Sequence, residues 1–293
     1  MEANGTVLVF GGDRRLTFLA EGLTEYFTEV ITYPLHSCDH GKEISDSEIA
    51  FLEEAFAKAD IIVGPIPFSR DGVHVWSERG KMVTIDVFGE YMQKGQQLFA
   101  GKIPETLINK IKEKGVICHD FMKMEQVEEE NSLATAEGAL AEAITLSVNN
   151  LHTGNCLILG YGKCGKAIAN LLKGWQIPTT VAVRREEARA EAESQGFHGV
   201  LLEQLTERIG SMTFIFNTIP AMVLKGELLD RLEKDAVIVD IASAPGGTDF
   251  ETCERLGIKA VLSLGIPGRY SPKTSADILL RAMLPICEKE KRL

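Results

Sequence analysis

Cys156-Leu157-Ile158-Leu159-Gly160-Tyr161-Gly162-Lys163-Cys164-Gly165-Lys166-Ala167-Ile168-Ala169-Asn170-Leu171-Leu172-Lys173 passes from four apolar residues, through glycines spaced G-x-G-x-x-G, into a helical pattern. Strand, tight turn and helix in that order predict the opening of a parallel βαβ unit. Gly160 allows the turn, Gly162 lets backbone approach a pyrophosphate, and Gly165 lets helix pack on strand. A helix N-terminus offers N–H groups and partial positive charge to phosphates. Gly160, Tyr161, Gly162, Lys163, Cys164 and Gly165 are therefore the candidate dinucleotide-binding turn.

The end of the next strand reads Thr180-Val181-Ala182-Val183-Arg184-Arg185-Glu186. An acidic residue there would accept the ribose hydroxyls of NAD, whereas Arg184 and Arg185 suit the 2′-phosphate of NADP. NADP is the expected cofactor. Asn217, Thr218, Ile219 and Pro220 end a later strand, at the edge where ligands bind in open α/β sheets. Asp240-Ile241-Ala242-Ser243 ends another, and Ala242 joins the cofactor set. The glycines of Ala244-Pro245-Gly246-Gly247-Thr248-Asp249 suggest close approach to a ligand or to a facing domain.

Outward from the turn, strands are predicted at residues 156–159, 180–183, 199–202, 214–217, 236–241 and 259–264. Towards the N-terminus they are predicted at 7–10, 30–33, 61–63, 82–85, 97–100 and 116–119, with helices at 18–27 and 47–58. Such alternation implies parallel sheets. Residues 132–150 form one long helix, and a last helix over 275–288 is interrupted near Pro285. The expected fold is α/β: two Rossmann-like three-layer domains with parallel sheets, joined by the long helix, with a cleft between them. The divisions are 1–130 for a flavodoxin-like substrate domain, 131–150 for the linker helix and 151–270 for the NADP domain. Residues 271–293 form a C-terminal helix whose apolar face suits packing back on the first domain.

The chain has 293 residues, 45% hydrophobic and 25% charged, as ordinary globular proteins are. No apolar run approaches the roughly 20 residues that cross a bilayer, and the polar N-terminus shows no secretory signal. A cytoplasmic protein is expected. The net charge of −11, from 31 basic and 42 acidic residues, opposes binding to nucleic acid. The acidic run 125–130 reads as a solvated helix face or linker. Cys38, Cys118, Cys156, Cys164, Cys253 and Cys287 lack C-x-x-C spacing, so reduced, largely buried thiols are expected, with no metal site.

In the first half, Gly11-Gly12-Asp13-Arg14-Arg15 follows a strand and can bring a small anion to a helix N-terminus. Residues 64–72, with Ser69, form a second candidate loop. Lys273, at the start of the closing helix, opposes the helix dipole unless an anion binds nearby. Asp13, Arg14, Arg15, Ser69 and Lys273 are the candidate substrate contacts. Thr135 and Glu137, read as the first turns of the linker helix, are with Lys273 the candidate catalytic residues. The six histidines fall in no site motif, and the base is unassigned.

Gly11-Gly12-Asp13, the 160–165 turn, Asn217-Thr218-Ile219-Pro220, the run from Asp240 to Phe250, and Pro272-Lys273-Thr274 together resemble the A subunits of the dipicolinate synthases of spore-forming bacteria. The resemblance implies oxidation of a dihydrodipicolinate-type intermediate from the lysine pathway to pyridine-2,6-dicarboxylate, with hydride passing to NADP⁺. It also implies, for a partner, the flavoprotein-like B subunit of dipicolinate synthase, and for location the mother cell of a sporulating bacterium. A homo-oligomer is compatible with it. A flat dianion needs donors at both carboxylates, which Arg14, Arg15, Ser69 and Lys273 can supply. Two alternatives remain: another two-domain dehydrogenase of 2-hydroxy-acid or shikimate type, and a non-catalytic NADP-sensing protein.

Overall fold

The computed structural model describes residues 3–33, 45–78 and 82–290; Cys38 lies outside them. The chain divides into two compact units, Met1–Glu130 with Ser271–Leu293, and Asn131–Tyr270. Each is a parallel sheet between helices.

In the first unit β1 (Ala3–Phe10), α1 (Arg14–Leu23), β2 (Phe27–Tyr33), α2 (Asp46–Lys58) and β3 (Ile61–Val63) are followed by α3 (Ile85–Tyr91), β4 (Gln97–Ala100), α4 (Glu105–Glu113) and β5 (Ile117–Asp120). The sheet order is β2-β1-β3-β4-β5, all pairs parallel. Strand side chains alternate, so Leu8 and Phe10 bury with Phe56 and Leu107 while Val7 and Val9 bury with Leu16 and Leu19. A continuous apolar strand is what a sheet covered on both faces requires.

The helix α5 (Glu125–Leu146) is longer than expected, because the acidic run forms its first turns rather than a linker. The second unit continues with β6 (Cys156–Leu159), α6 (Lys163–Gly174), β7 (Thr179–Val183), α7 (Glu186–Ser194), β8 (His198–Leu201) and β9 (Phe214–Asn217). Then come α8 (Glu227–Asp230), β10 (Val237–Asp240), α9 (Phe250–Leu256), β11 (Lys259–Leu262) and α10 (Ile266–Tyr270). Its order, β11-β10-β9-β6-β7-β8, is that of a doubly wound dinucleotide fold. Ile158 and Phe216 bury against Ile168 and Leu172 on one face, and Leu157 and Ile215 against Leu205 and Leu229 on the other. The expected pair of parallel, three-layer α/β units is what the structure contains.

Two expectations are corrected. Residues 82–85 are not a strand: Thr84 Oγ1 accepts a bond from Val87 N at 3.2 Å and caps α3, so the β-branched pair of Val83 and Ile85 flanks a helix start. The closing helix α11 (Pro272–Glu290) is not interrupted at Pro285. Ala276, Leu279, Met283 and Cys287 bury among Leu16, Leu19 and Leu23 of α1. That burial outweighs the ~3 kcal/mol which a helix-interior proline costs.

Candidate functional site

At the carboxyl edge of the second unit's sheet the strands end in one row. Leu159 pairs with Ala182 and Asn217, and Asn217 with Asp240. The residues that follow, from Gly160, Thr218 and Ile241 onwards, are thereby brought to one edge. Between β6 and β9 the strand order reverses, which is the switch point where such sheets bind ligands.

The three glycines differ. Gly160 has φ +93, and a Cβ there would meet Thr218 Oγ1 at 2.4 Å. A Cβ on Gly165 would lie 2.3 Å from Gly160 O, so the start of α6 is pressed onto the turn. At Gly162 a Cβ would meet nothing within 4 Å. Gly162 is the N-cap of α6 and supplies no side-chain cap, while its carbonyl accepts the helix bond from Lys166 N at 2.8 Å. Two glycines are thus demanded by the fold itself, and the third keeps open space before a helix N-terminus. This is the cradle a pyrophosphate needs. Tyr161 and Cys164 are half-buried and Lys163 is exposed. The Tyr161 ring lies edge-on to Phe197 with Lys166 Nζ 5.4 Å from its centroid, and burial, then Glu191, raises its phenol pKa.

Arg184 and Arg185 follow β7 and are exposed. Among the described residues neither side chain has an ion-pair or hydrogen-bond partner. Glu186, the nearest carboxylate, is forked instead by Arg189, whose Nε lies 3.0 Å from both its oxygens. The Arg189 bond lowers the Glu186 pKa. That turn thus presents two cations, the ion-paired Glu186 and the exposed Glu187.

Asn217 closes on its own loop: Nδ2 donates to Ile219 O at 3.1 Å, and Ile219 N donates to Oδ1 at 3.1 Å. Thr218 donates both N–H (2.9 Å) and hydroxyl (2.8 Å) to Leu159 O. Pro220 is exposed beyond them. The sequence singled out Asp240 as a strand end and as the start of the 240–250 run, and the structure makes it a clamp. Fully buried, it accepts from Ala242 N (3.0 Å), Gly247 N (2.8 Å) and Thr248 Oγ1 (2.7 Å). The expectation that the paired glycines approach a ligand or a facing domain is revised accordingly. A Cβ on Gly247 would meet Ala221 O at 2.4 Å and Asn217 Nδ2 at 2.6 Å, so the close approach is to the chain's own β9 loop. Asp249 then caps α9 through Thr252 N at 3.0 Å.

The substrate candidates of the first unit separate. Arg15 is not available to an anion: it is buried, its Nε and NH2 fork Asp13 at 2.9 and 2.8 Å, and NH2 also donates to Ile66 O at 2.6 Å. Asp13 is spent on that pair and on capping α1 through Arg15 N at 3.0 Å. Arg14 is exposed and, among the described residues, has no side-chain partner. Ser69 turns inward, taking Gly72 N at 3.0 Å and donating to Asp71 Oδ1 at 3.2 Å. Asp71 also holds His74, with Nδ1 2.6 Å from Oδ2. The Asp-Gly-Val-His spacing of that pair was the missed signal.

The anion that relieves Lys273 at the start of α11 is the chain's own Asp277, one turn on at 3.2 Å. Thr135 lies well inside α5, not in its first turns, and its hydroxyl returns to Asn131 O at 2.8 Å. Glu137 is exposed on the same helix. The five described cysteines are all thiols. Among the described residues no helix is long and apolar enough to cross a membrane.

Residues 6–122 match the N-terminal domain of the dipicolinate synthase A subunit. Over 289 residues the chain is 27% identical to the dipicolinate synthase A subunit of Bacillus subtilis (strain 168), covering 94% of each. The solved A subunit from Bacillus halodurans superposes with TM-score 0.83 at 23% identity, covering 98% of this chain and 99% of that one. D-lactate dehydrogenase of Escherichia coli superposes with TM-score 0.65 at 13% identity, covering 98% and 97%, a likeness of fold alone. The chain is thus similar to the dipicolinate synthase A subunits, by the match to their N-terminal domain over residues 6–122, by sequence over 289 residues, and by fold.

Proposed function

We propose that the chain is an NADP-dependent oxidoreductase that oxidises a dihydropyridine dicarboxylate to pyridine-2,6-dicarboxylate, working with a flavoprotein-like B subunit in the cytoplasm of a sporulating bacterium. The observation that carries the cofactor is the turn after β7: two exposed arginines beside a carboxylate already forked by Arg189. The open space at Gly162 fits a pyrophosphate. In this reading the α6 N-terminus holds the pyrophosphate, Arg184 and Arg185 grip the 2′-phosphate, and the loops at Asn217–Pro220 and Ala242 flank the nicotinamide ribose. Bound there, the cofactor supplies a two-electron hydride acceptor. The relationship to the dipicolinate synthase A subunits supports the substrate class. Arg14 remains a cation for one carboxylate. Lys273, Thr135 and Glu137 are kept as candidates, Lys273 only by exchanging Asp277 for the ligand.

Calorimetric titration with NADP and NAD tests the cofactor. NADP should bind at least about tenfold more tightly, and the R184A/R185A double variant should lose that preference, since each charge-assisted bond contributes ~1.5–3 kcal/mol. Equal affinities in the wild type would remove NADP from the reading. With the B-type partner and a dihydropyridine dicarboxylate, NADPH absorbance should rise. NADP binding without turnover would leave a nucleotide-sensing role.

A further inference from the structure

The segment 69–77 lies at the switch point of the first unit's sheet, where β1 adjoins β2 on one side and β3 on the other. Gly12 N donates to Trp76 O at 3.0 Å and Glu78 N to Gly12 O at 2.8 Å, which stitches the segment to the turn after β1. Residues 73–76 are extended: Val75 N reaches Val83 O and Ile85 N reaches Val73 O, both at 2.9 Å. Val75 is buried, so by alternation His74 and Trp76 occupy the other face.

Three chemistries meet on that face. The Arg70 guanidinium carbon lies 3.8 Å from the Trp76 ring centroid, a stacked arrangement. The His74 imidazole is held through Nδ1 by Asp71 Oδ2 at 2.6 Å, which directs Nε2 away from the carboxylate. Asp71 is itself fixed by Val73 N at 2.9 Å and His74 N at 2.8 Å. These bonds, the His74 backbone bond first, hold its carboxyl well below the usual range. Exposed pairs of this kind add little to stability, so stability alone does not account for the arrangement. An oriented imidazole beside a guanidinium–indole stack does suit a flat ring that bears carboxylates.

We infer that Arg70, Trp76 and His74 form a receiving surface for a planar aromatic carboxylate. The ligand ring stacks over the Arg70–Trp76 pair, and His74 Nε2 hydrogen-bonds the ligand's polar edge. The inference rests on the proposed substrate class and moves the recognition of it from Ser69 and Arg15 to Arg70, in the same candidate loop, and to His74 and Trp76 just beyond it.

Trp76 and Trp175 are the two tryptophans of the chain, so W175F leaves Trp76 as sole reporter. Titrating full-length W175F with pyridine-2,6-dicarboxylate should quench its emission saturably. By calorimetry on the otherwise wild-type chain, R70A and H74A should each weaken dicarboxylate binding about tenfold or more, with NADP affinity unchanged as the check on folding. R70K should not restore it, because an ammonium neither stacks nor forks. Wild-type affinity in R70A and H74A would overturn this inference and leave the proposed function standing. Absence of dicarboxylate binding in the wild type, with NADP still bound, would overturn both the inference and the proposed substrate.

Discussion

Gly160 and Thr218 face each other across the boundary of β6 and β9 with no room for a side chain between them: a Cβ at position 160 would stand 2.4 Å from Thr218 Oγ1. Thr218 cannot withdraw, because its N–H and hydroxyl both hold Leu159 O. The turn is therefore built by packing, independently of any ligand.

The glycines of this turn should separate stability from binding. G160A should lower stability by a few kcal/mol in all, and the melting temperature with it, since a left-handed φ in a non-glycine costs ~1–3 kcal/mol and the methyl also collides. G162A meets open space, so its melting temperature should match the wild type while NADP affinity falls at least about tenfold. Paired thermal melts and NADP titrations read both effects. Unchanged affinity in G162A would move the pyrophosphate elsewhere.

Asp240 should behave as structure rather than chemistry. D240A leaves Gly247 N and Thr248 Oγ1 without their buried acceptor, each a loss of ~1–3 kcal/mol. Denaturant unfolding should therefore show one of the larger single-site losses in the second unit. D240N should also lose stability, because an amide nitrogen would confront a donor.

Glu142 on α5 accepts from Arg269 NH2 at 2.7 Å and Tyr270 OH at 3.2 Å, although its side chain is only 9% exposed. R269M would leave that carboxylate with Tyr270 OH alone and should cost ~2 kcal/mol, below the figure for a fully buried pair because Arg269 is half exposed. E142L/R269M should recover much of the loss in a double-mutant cycle. A zero coupling energy would show the pair to be incidental.

Burial pushes the Cys156 thiol up to about 12 and the Cys253 thiol up to about 11. Both should resist alkylation at pH 8 in the folded chain and react once it is unfolded. The unfolded thiols release protons near their ordinary value of 9.0, while the folded ones keep them. The native state thus binds more protons above pH 9, and stability should fall from there towards pH 12. Chemical melts at pH 8 and pH 10.5 measure the slope, and C156A/C253A should flatten it.

Much of the architecture was legible because burial on both sheet faces writes strands as unbroken apolar runs, as at Val7–Val9 and Leu157–Leu159. Misreadings fell where a short segment answers to something distant. Val83 and Ile85 look like a strand, yet Thr84 caps a helix between them. Pro285 looks like a break, yet it lies in a helix held by the packing of Met283 and Cys287 near α1. The arginine pair after β7 was visible, but not the commitment of Glu186 to Arg189. Arg14 and Arg15 are indistinguishable in sequence; only the fold buries one against Asp13 and exposes the other.

The sequence by itself determined the glycine turn at residues 160–165, since spacing, a preceding strand and a following helix are local properties of one short stretch. Only the tertiary structure decided what each glycine there is for. Gly160 and Gly165 answer to Thr218 and to the turn's own carbonyl, and Gly162 answers to nothing in the chain. It also decided that the PGGTDF run folds around Asp240 and that Arg70, Trp76 and His74 share a face. The meeting of Gly160 with Thr218 depends on which strands pair at a sheet edge, and residues far apart along the chain carry no local mark of it; the nearer contacts depend on how a loop folds back, which residue types alone do not state.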